Sequence, residues 1–272
     1  VAFNRHKHGP DSLYNCIERG WKFYDERPWL AGVFYWTGFD YRGEPNPMVF
    51  PATSSEFGFL DYCGFPKDEA YYLKSWWTEE AVLHILPHWN LDGHEGENVS
   101  VWVYSNCDEV QLIVNGRKLG RKAMPENGHL EWDTVYRPGY VRAIGYKDGR
   151  KVMDKRIETT GEAVEEVWTY ETVGDVTIAK LEMRDAKGRF VPTACCEVDF
   201  TAPEGTAILG WGNGDPTFRH IERPVRYGVS ATCPDGTADM TSNGTPVPDR
   251  SARTIRITTF NGLAAVLLST TR

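Results

Sequence analysis

The chain has 272 residues, room for two or three domains, and 13% of them are aromatic, ten being Trp. That content suits packed β domains and stacking on sugar faces. The net charge of −8 argues against a nucleic-acid partner, since phosphate binding needs a basic field, and no run of about 18 apolar residues is present to span a membrane as a helix. Six cysteines (Cys16, Cys63, Cys107, Cys195, Cys196, Cys233) are too sparse for a disulfide framework and form no CxxC pair for zinc.

The chain opens Val1-Ala2-Phe3-Asn4, with neither initiator Met nor signal peptide, and so reads as a piece of something longer. Residues 1–10 read as a solvated connector, with His6 and His8 exposed rather than ligating. Asp11 or Ser12 can cap a helix. Leu13, Cys16, Ile17, Trp21 and Tyr24 keep helical spacing, and Pro28 ends it, giving a helix over 11–27. Gly32-Val33-Phe34-Tyr35-Trp36, closed by Thr37-Gly38, has the composition of a strand buried on both faces. Behind it come Asp40, Tyr41, Arg42, Glu44, Glu56 and Asp61, with Trp36 and Phe39 beside them. An α/β barrel builds its functional face from such residues, just past the C-terminal end of a buried parallel strand. A second helix is expected over Lys67–Trp77. Residues 1–77 thus supply helix, strand, loop and helix, about a quarter of a barrel that needs roughly 250 residues.

From Ala81 the period becomes two. Strands are expected over Val82–Asn90, Val99–Tyr104 and Glu109–Val114, and again at Gly128–Trp132 and Gly139–Tyr146. Asn115-Gly116 before Arg117-Lys118-Leu119 is a strong hairpin signal. This makes residues 78–162 an immunoglobulin-like sandwich. A second one, 163–272, is expected from strands at Val176–Met183, Cys196–Phe200, Ala207–Trp211, Thr254–Thr259 and Ala264–Ser269, with a long loop insertion over Gly214–Ser251. The fold class is therefore mainly β: the end of a (β/α)8 barrel followed by two sandwiches. His84 and His88 lie in a strand-like segment with Pro87, where a spacing of four does not bring two rings together, so no metal is expected there. Asn98-Val99-Ser100 and Asn243-Gly244-Thr245 match glycosylation acceptors, which matter only in a eukaryotic secretory host.

The run GVFYWTGFDYRGEP, continued by SSEFGFLDYCGFPKDEAYYLKSWW, closely resembles the eighth strand and following loop of the catalytic barrel in glycoside hydrolase family 2, the β-galactosidase family. The later signals LPHWN, YSNCDEVQLIVNG, AIGYKDGR, MRDAKGRFVPTACCEVDF, GWGNGDP and FNGLAAVLL are similar to its accessory sandwiches. The resemblance covers nearly the whole chain. It implies a retaining β-glycosidase, which needs two carboxyl groups about 5–5.5 Å apart. In the family both are Glu at the ends of strands four and seven. With strand eight placed at Gly32–Trp36, both precede residue 1, so no catalytic residue is expected in this chain, and the chain alone is expected to lack hydrolase activity.

What the resemblance assigns here is a substrate-binding wall. Trp36 matches the family's Trp at the end of strand eight, whose face packs on the pyranose of the first subsite; a barrel-core role is the alternative. Asp40 and Arg42 either bond sugar hydroxyls or form ion pairs that shape the loop. Tyr41 and Phe57 are further wall residues, and Lys67 is structural or at an outer subsite. The β-glucuronidase branch has an Asn-x-Lys pair whose Lys binds the sugar carboxylate; here Ser55-Glu56-Phe57 stand in its place, with no ammonium expected and Glu56 set to repel a uronate, which argues against a uronic acid substrate. The sodium site of long β-galactosidases is not carried over, because Gly58, Phe59 and Leu60 offer no side-chain oxygen. The implied partners are a β-linked oligosaccharide or glycoside and the N-terminal remainder of the enzyme, with a homo-oligomer as one option. No cofactor is implied, and a polysaccharide-degrading role favours the periplasm or the extracellular space. The rival reading is a non-catalytic sandwich module: either carbohydrate-binding, for which exposed aromatics such as Trp89, Trp102, Trp132, Trp168 or Trp211 would have to form a planar row on one face, or purely structural, a spacer that buttresses the barrel or an oligomer.

Overall fold

A computed structural model describes residues 16–45, 48–219, 222, 224–227, 246–248 and 251–270. The expectations for residues 1–10, the Asp11/Ser12 cap, Leu13, Cys233 and Asn243-Gly244-Thr245 lie outside the described residues. The chain is mainly β and divides into two compact units: 1–41 with 56–161, and 42–55 with 162–272.

In the first unit, helices α1 (Cys16–Asp25) and α2 (Asp68–Trp77) accompany seven strands. These are β1 (Leu83–Leu86), β2 (Asn98–Ser105), β3 (Glu109–Val114), β4 (Arg117–Ala123), β5 (Leu130–Val135), β6 (Tyr140–Lys147) and β7 (Arg150–Glu158). They form two antiparallel sheets, ordered β1-β2-β5 and β4-β3-β6-β7. Alternation does what the pleat requires: Val110, Leu112 and Val114 of β3 point inward with Val101, Val103, Val141 and Ala143, while the intervening residues face out. The β3–β4 hairpin turns on Asn115 and Gly116, both at positive φ (48° and 83°), the geometry of a two-residue turn that Asn-Gly accommodates best. A smaller core, around Tyr72, Leu73, Leu86 and Tyr104, joins both helices to the outer side of the β1-β2-β5 sheet, with Ile17, Trp21, Tyr35, Trp76 and Trp102 packed on it.

The expected strand at Gly32–Trp36 does not form. Residues 30–37 are irregular and largely exposed, Phe34 fully so. A strand exists through its neighbours, whose backbone groups must take its N–H and C=O. The one bridge that the first unit makes in this stretch is the isolated parallel pair Phe39–Leu60. The composition of the segment fits a buried sheet, and the described residues supply no sheet to receive it.

The second unit holds β8 (Ala163–Val173), β9 (Val176–Asp185), β10 (Glu197–Thr201), β11 (Thr206–Gly212), β12 (Val225–Tyr227), β13 (Pro246–Pro248), β14 (Thr254–Thr258) and β15 (Leu263–Thr270). Its sheets are β11-β15-β9-β8, β10-β14 and the short pair β12-β13. Leu181, Val198, Phe200, Ile208, Ile257, Val266 and Leu268 fill its core. Within the stretch read as an insertion, β12 and β13 pair with each other. The segment 42–55 belongs to this unit: Arg42 bridges Ser54, Gly43 N–H donates to Thr53 O, and Thr53 N–H donates to Pro216 O at 2.8 Å. No helix among the described residues is long and apolar enough to cross a membrane.

Candidate functional site

The irregular stretch after Leu30 carries a row of three aromatic rings. Trp36 is 77% exposed, and its Nε1–H donates to Tyr41 Oη at 3.2 Å. The two rings meet edge to face at 6.3 Å, and Tyr41 meets Phe57 in the same way at 5.7 Å. Edge-to-face contact is the preferred meeting of two ring quadrupoles, and it leaves the flat face of Trp36 open to a ligand. The residue before Trp36 anchors the row. The Tyr35 ring lies 5.6 Å from Phe59 and 5.8 Å from Trp77, and its hydroxyl donates to Ile17 O in α1 at 3.3 Å. Sequence reasoning missed Tyr35 and Phe59 as supports. The signal available was the alternation through Phe34-Tyr35-Trp36, which turns Tyr35 away from its two exposed neighbours.

Behind the row lies a buried brace. Asp40 is 5% exposed. Its Oδ1 accepts the Gly58 N–H at 2.7 Å, and its Oδ2 pairs with Lys67 Nζ at 2.6 Å. Lys67 Nζ also donates to Glu56 O at 2.8 Å. Gly58 is the residue this close approach demands: a Cβ there would sit 2.3 Å from Asp40 N and 2.4 Å from Phe39 C, both backbone atoms. Of the two roles weighed for Asp40, the geometry gives it the ion pair that shapes the loop, with both oxygens engaged inside the protein. An ammonium is therefore present beside Glu56, contributed by Lys67 and held by Asp40. Asp61 closes the next turn by accepting N–H bonds from Cys63 (2.8 Å) and Phe65 (3.0 Å). Burial raises its carboxyl above its ordinary value against the pull of those bonds and of Lys67.

Arg42 is bound within the second unit. Its guanidinium donates to Thr53 Oγ1 (2.6 Å) and Phe218 O (2.7 Å) and pairs with Glu222 Oε1 at 2.6 Å. A fork of donors engaged in this way is how Arg fixes a loop. Of the five wall candidates, Trp36, Tyr41 and Phe57 thus come together, Asp40 lies buried beneath the loop, and Arg42 holds the 42–55 segment.

The other candidates are structural here. Trp89 and Trp132 are buried in the first sandwich core, 1% and 4% exposed. Trp102 stacks on His129, Trp168 packs on Phe200, and Trp211 packs on Phe218. The five tryptophans do not form the planar exposed row that a binding platform needs. His84 Nε2–H donates to Asp68 Oδ1 at 2.8 Å, and its ring stacks on Tyr71, fastening β1 to α2. Among the described residues no group of three His, Cys, Asp or Glu is arranged to hold a metal ion.

Two β-sheet units, the first with an aromatic row on a braced loop between its helices, define a modular, mainly β chain. Residues 96–153 match a family model described as a domain of unknown function, DUF4982. The β-galactosidase BoGH2A of Bacteroides ovatus is 37% identical over 226 residues, 79% of this chain and 26% of that protein. A β-glucuronidase of Formosa agariphila is 32% identical over 231 residues, 77% of this chain and 23% of that protein. Among solved structures, a β-glycosidase from Bacteroides vulgatus superposes with a TM-score of 0.74 at 27% identity, covering 94% of this chain and 30% of that one. A glycosyl hydrolase family 2 member from Bacteroides cellulosilyticus shares the fold with a TM-score of 0.72 at 24% identity, over 94% of this chain and 35% of that one. The chain belongs to glycoside hydrolase family 2. It spans about a quarter of the length of the curated relatives it matches.

Proposed function

We propose that this chain is the C-terminal part of a retaining family 2 β-glycosidase, with a terminal β-galactoside as substrate, and that it supplies the strand-eight side of the sugar pocket. The carrying observation is the exposed indole of Trp36, set edge to face against Tyr41 and Phe57. A pyranose presents a C–H face that such an indole receives, and the hydrogen bond from Nε1–H to Tyr41 fixes its plane. The two carboxyl groups that retention requires belong to barrel strands contributed by residues outside these 272. Gly32–Trp36, which finds no sheet here, is the eighth strand of that barrel once its neighbours are present.

Two observations favour a neutral sugar over a uronate. Glu56 occupies the loop where a uronate-binding branch would place a cation, and the nearby ammonium of Lys67 is already neutralised by Asp40. A sugar carboxylate would have to displace that ion pair. The test is steady-state kinetics of the full-length enzyme on matched aryl β-galactoside and aryl β-glucuronide. The proposal expects preference for the galactoside, with Trp36→Ala raising KM about tenfold, a loss of about 1.4 kcal/mol in binding. Preference for the glucuronide, or an unchanged KM in the Trp36 variant, would overturn it.

A further inference from the structure

Between β4 and β5, on the segment matched by the domain of unknown function, residues 124–129 make a set of directional bonds to both helices. Asn127 is at the centre. Its Oδ1 accepts the Trp21 Nε1–H at 2.8 Å, its Nδ2 donates to Asp25 Oδ2 at 2.6 Å, and its backbone O accepts the Tyr72 hydroxyl at 2.7 Å. Gly128 O accepts the Trp76 Nε1–H at 3.2 Å. His129 Nδ1–H donates to Glu18 Oε2 at 2.6 Å, its ring stacked on Trp102 at 3.9 Å. Asn127 holds positive φ (53°), a conformation that Asn tolerates better than most side chains. It thereby offers side chain and carbonyl to two different helices at once.

This loop grips Glu18, Trp21 and Asp25 on α1 and Tyr72 and Trp76 on α2. The same two helices hold Tyr35: its hydroxyl bonds Ile17 O of α1 and its ring meets Trp77 of α2. Tyr35 is covalently next to Trp36. Apolar contact alone would let two short helices slide over the sheet, because it has no preferred register. Several directional hydrogen bonds admit one register, and losing one of the part-buried ones leaves a polar group unsatisfied.

We propose that the 124–129 loop is a positioning clamp for the sugar-facing Trp36, acting through α1, α2 and Tyr35, and that this is the contribution of the domain that carries it. The kinetic consequence rests on the sugar-wall reading above; the mechanical one does not. Asn127→Gly is the sharpest variant, since glycine keeps the left-handed backbone and removes only the bonds to Trp21 and Asp25. Tyr72→Phe is the milder second, removing one hydroxyl and keeping the ring.

Hydrogen–deuterium exchange on this chain tests the mechanics. Both variants should exchange faster in residues 16–41, with β3 and β6 unchanged. Equal protection of residues 16–41 in the variants and the parent would overturn the clamp. In the full-length enzyme, Asn127→Gly should raise KM for an aryl β-galactoside by about threefold to tenfold with kcat changed less. It should add nothing in a Trp36→Ala background, because both changes then remove the same contact. Full additivity in that double variant would overturn action through Trp36. If Trp36→Ala alone leaves KM unchanged, the sugar-wall reading has failed, and exchange in residues 16–41 still decides the clamp.

Discussion

Gly58 and Asp40 show how a loop of irregular backbone can be held as firmly as a strand. A side chain at position 58 would collide with the backbone of Phe39 and Asp40, which cannot move aside as a flexible side-chain tip can. Gly58→Ala is therefore expected to destabilise the protein by about 1–3 kcal/mol or more, the usual cost of overpacking a tight site; urea unfolding of the variant checks this. The ion pair beneath it behaves differently. Asp40→Ala would strand the Lys67 ammonium, which is largely buried, and loss of one member of a buried pair costs about 3–5 kcal/mol. Adding Lys67→Met should recover part of that loss, because the uncompensated charge is gone. An additive double variant would show that the pair is solvated in solution. The sequence made Asp40 and Lys67 conspicuous but could not choose between a sugar ligand and a brace, since the choice turns on which side chains meet in space. The need for glycine at 58 was not legible in the sequence, because it turns on which backbone atoms meet in space.

At the scale of elements, periodicity read the strands of both sandwiches that bury one face, such as β3 and β9, and the Asn115-Gly116 turn. It passed over β7 and gave β8 no bounds of its own. Both are sheet-edge strands, and the exposed charges of Arg150, Lys151, Glu165 and Glu166 that blunt such an edge also hide the alternation. The apolar run at 32–36 has the composition of a buried strand and forms none here, because composition records what a segment is suited to join and not whether the partner is there. The docking of α1 has a pH signature. Burial works to raise the Glu18 carboxyl, but its bonds and attraction to His129 and Lys22 together outweigh that and hold it below its ordinary 4.5. With the native value depressed, the unfolded chain binds the proton more readily in acid. The contribution of Glu18 is then complete above about pH 4.5 and is lost as pH falls through the depressed value. Glu18→Gln should accordingly be less stable than the parent near neutrality and should converge on it below that window; thermal melts across pH 3 to 7 check the crossing. Parallel curves would mean that Glu18 is not charged in its native contacts.

For the whole molecule the telling feature is an apolar surface with no described cover. Trp29, Phe34, Trp36 and Phe39 of the first unit are all more than half exposed, in a fold whose sandwich cores are otherwise well closed. Single exposed apolar residues need no explanation, whereas a run of large ones marks a surface built to meet another. If that surface is the eighth-strand edge of a barrel, this chain alone should not hydrolyse an aryl β-galactoside, since the carboxyl pair is supplied from elsewhere. It should bind an apolar dye such as ANS strongly or self-associate, as an uncovered sheet-forming segment does. Supplying the missing barrel residues as a second polypeptide should quench the dye signal and generate β-glycosidase activity together. The restored activity should be weakened by Trp36→Ala in this chain. The coincidence of the two signals is the decisive part: covering the surface and completing the site are one event if Gly32–Trp36 is a barrel strand. Turnover by the isolated chain would instead place both carboxyl groups within these 272 residues and would remove the reason for assigning the pocket's other side to a longer protein.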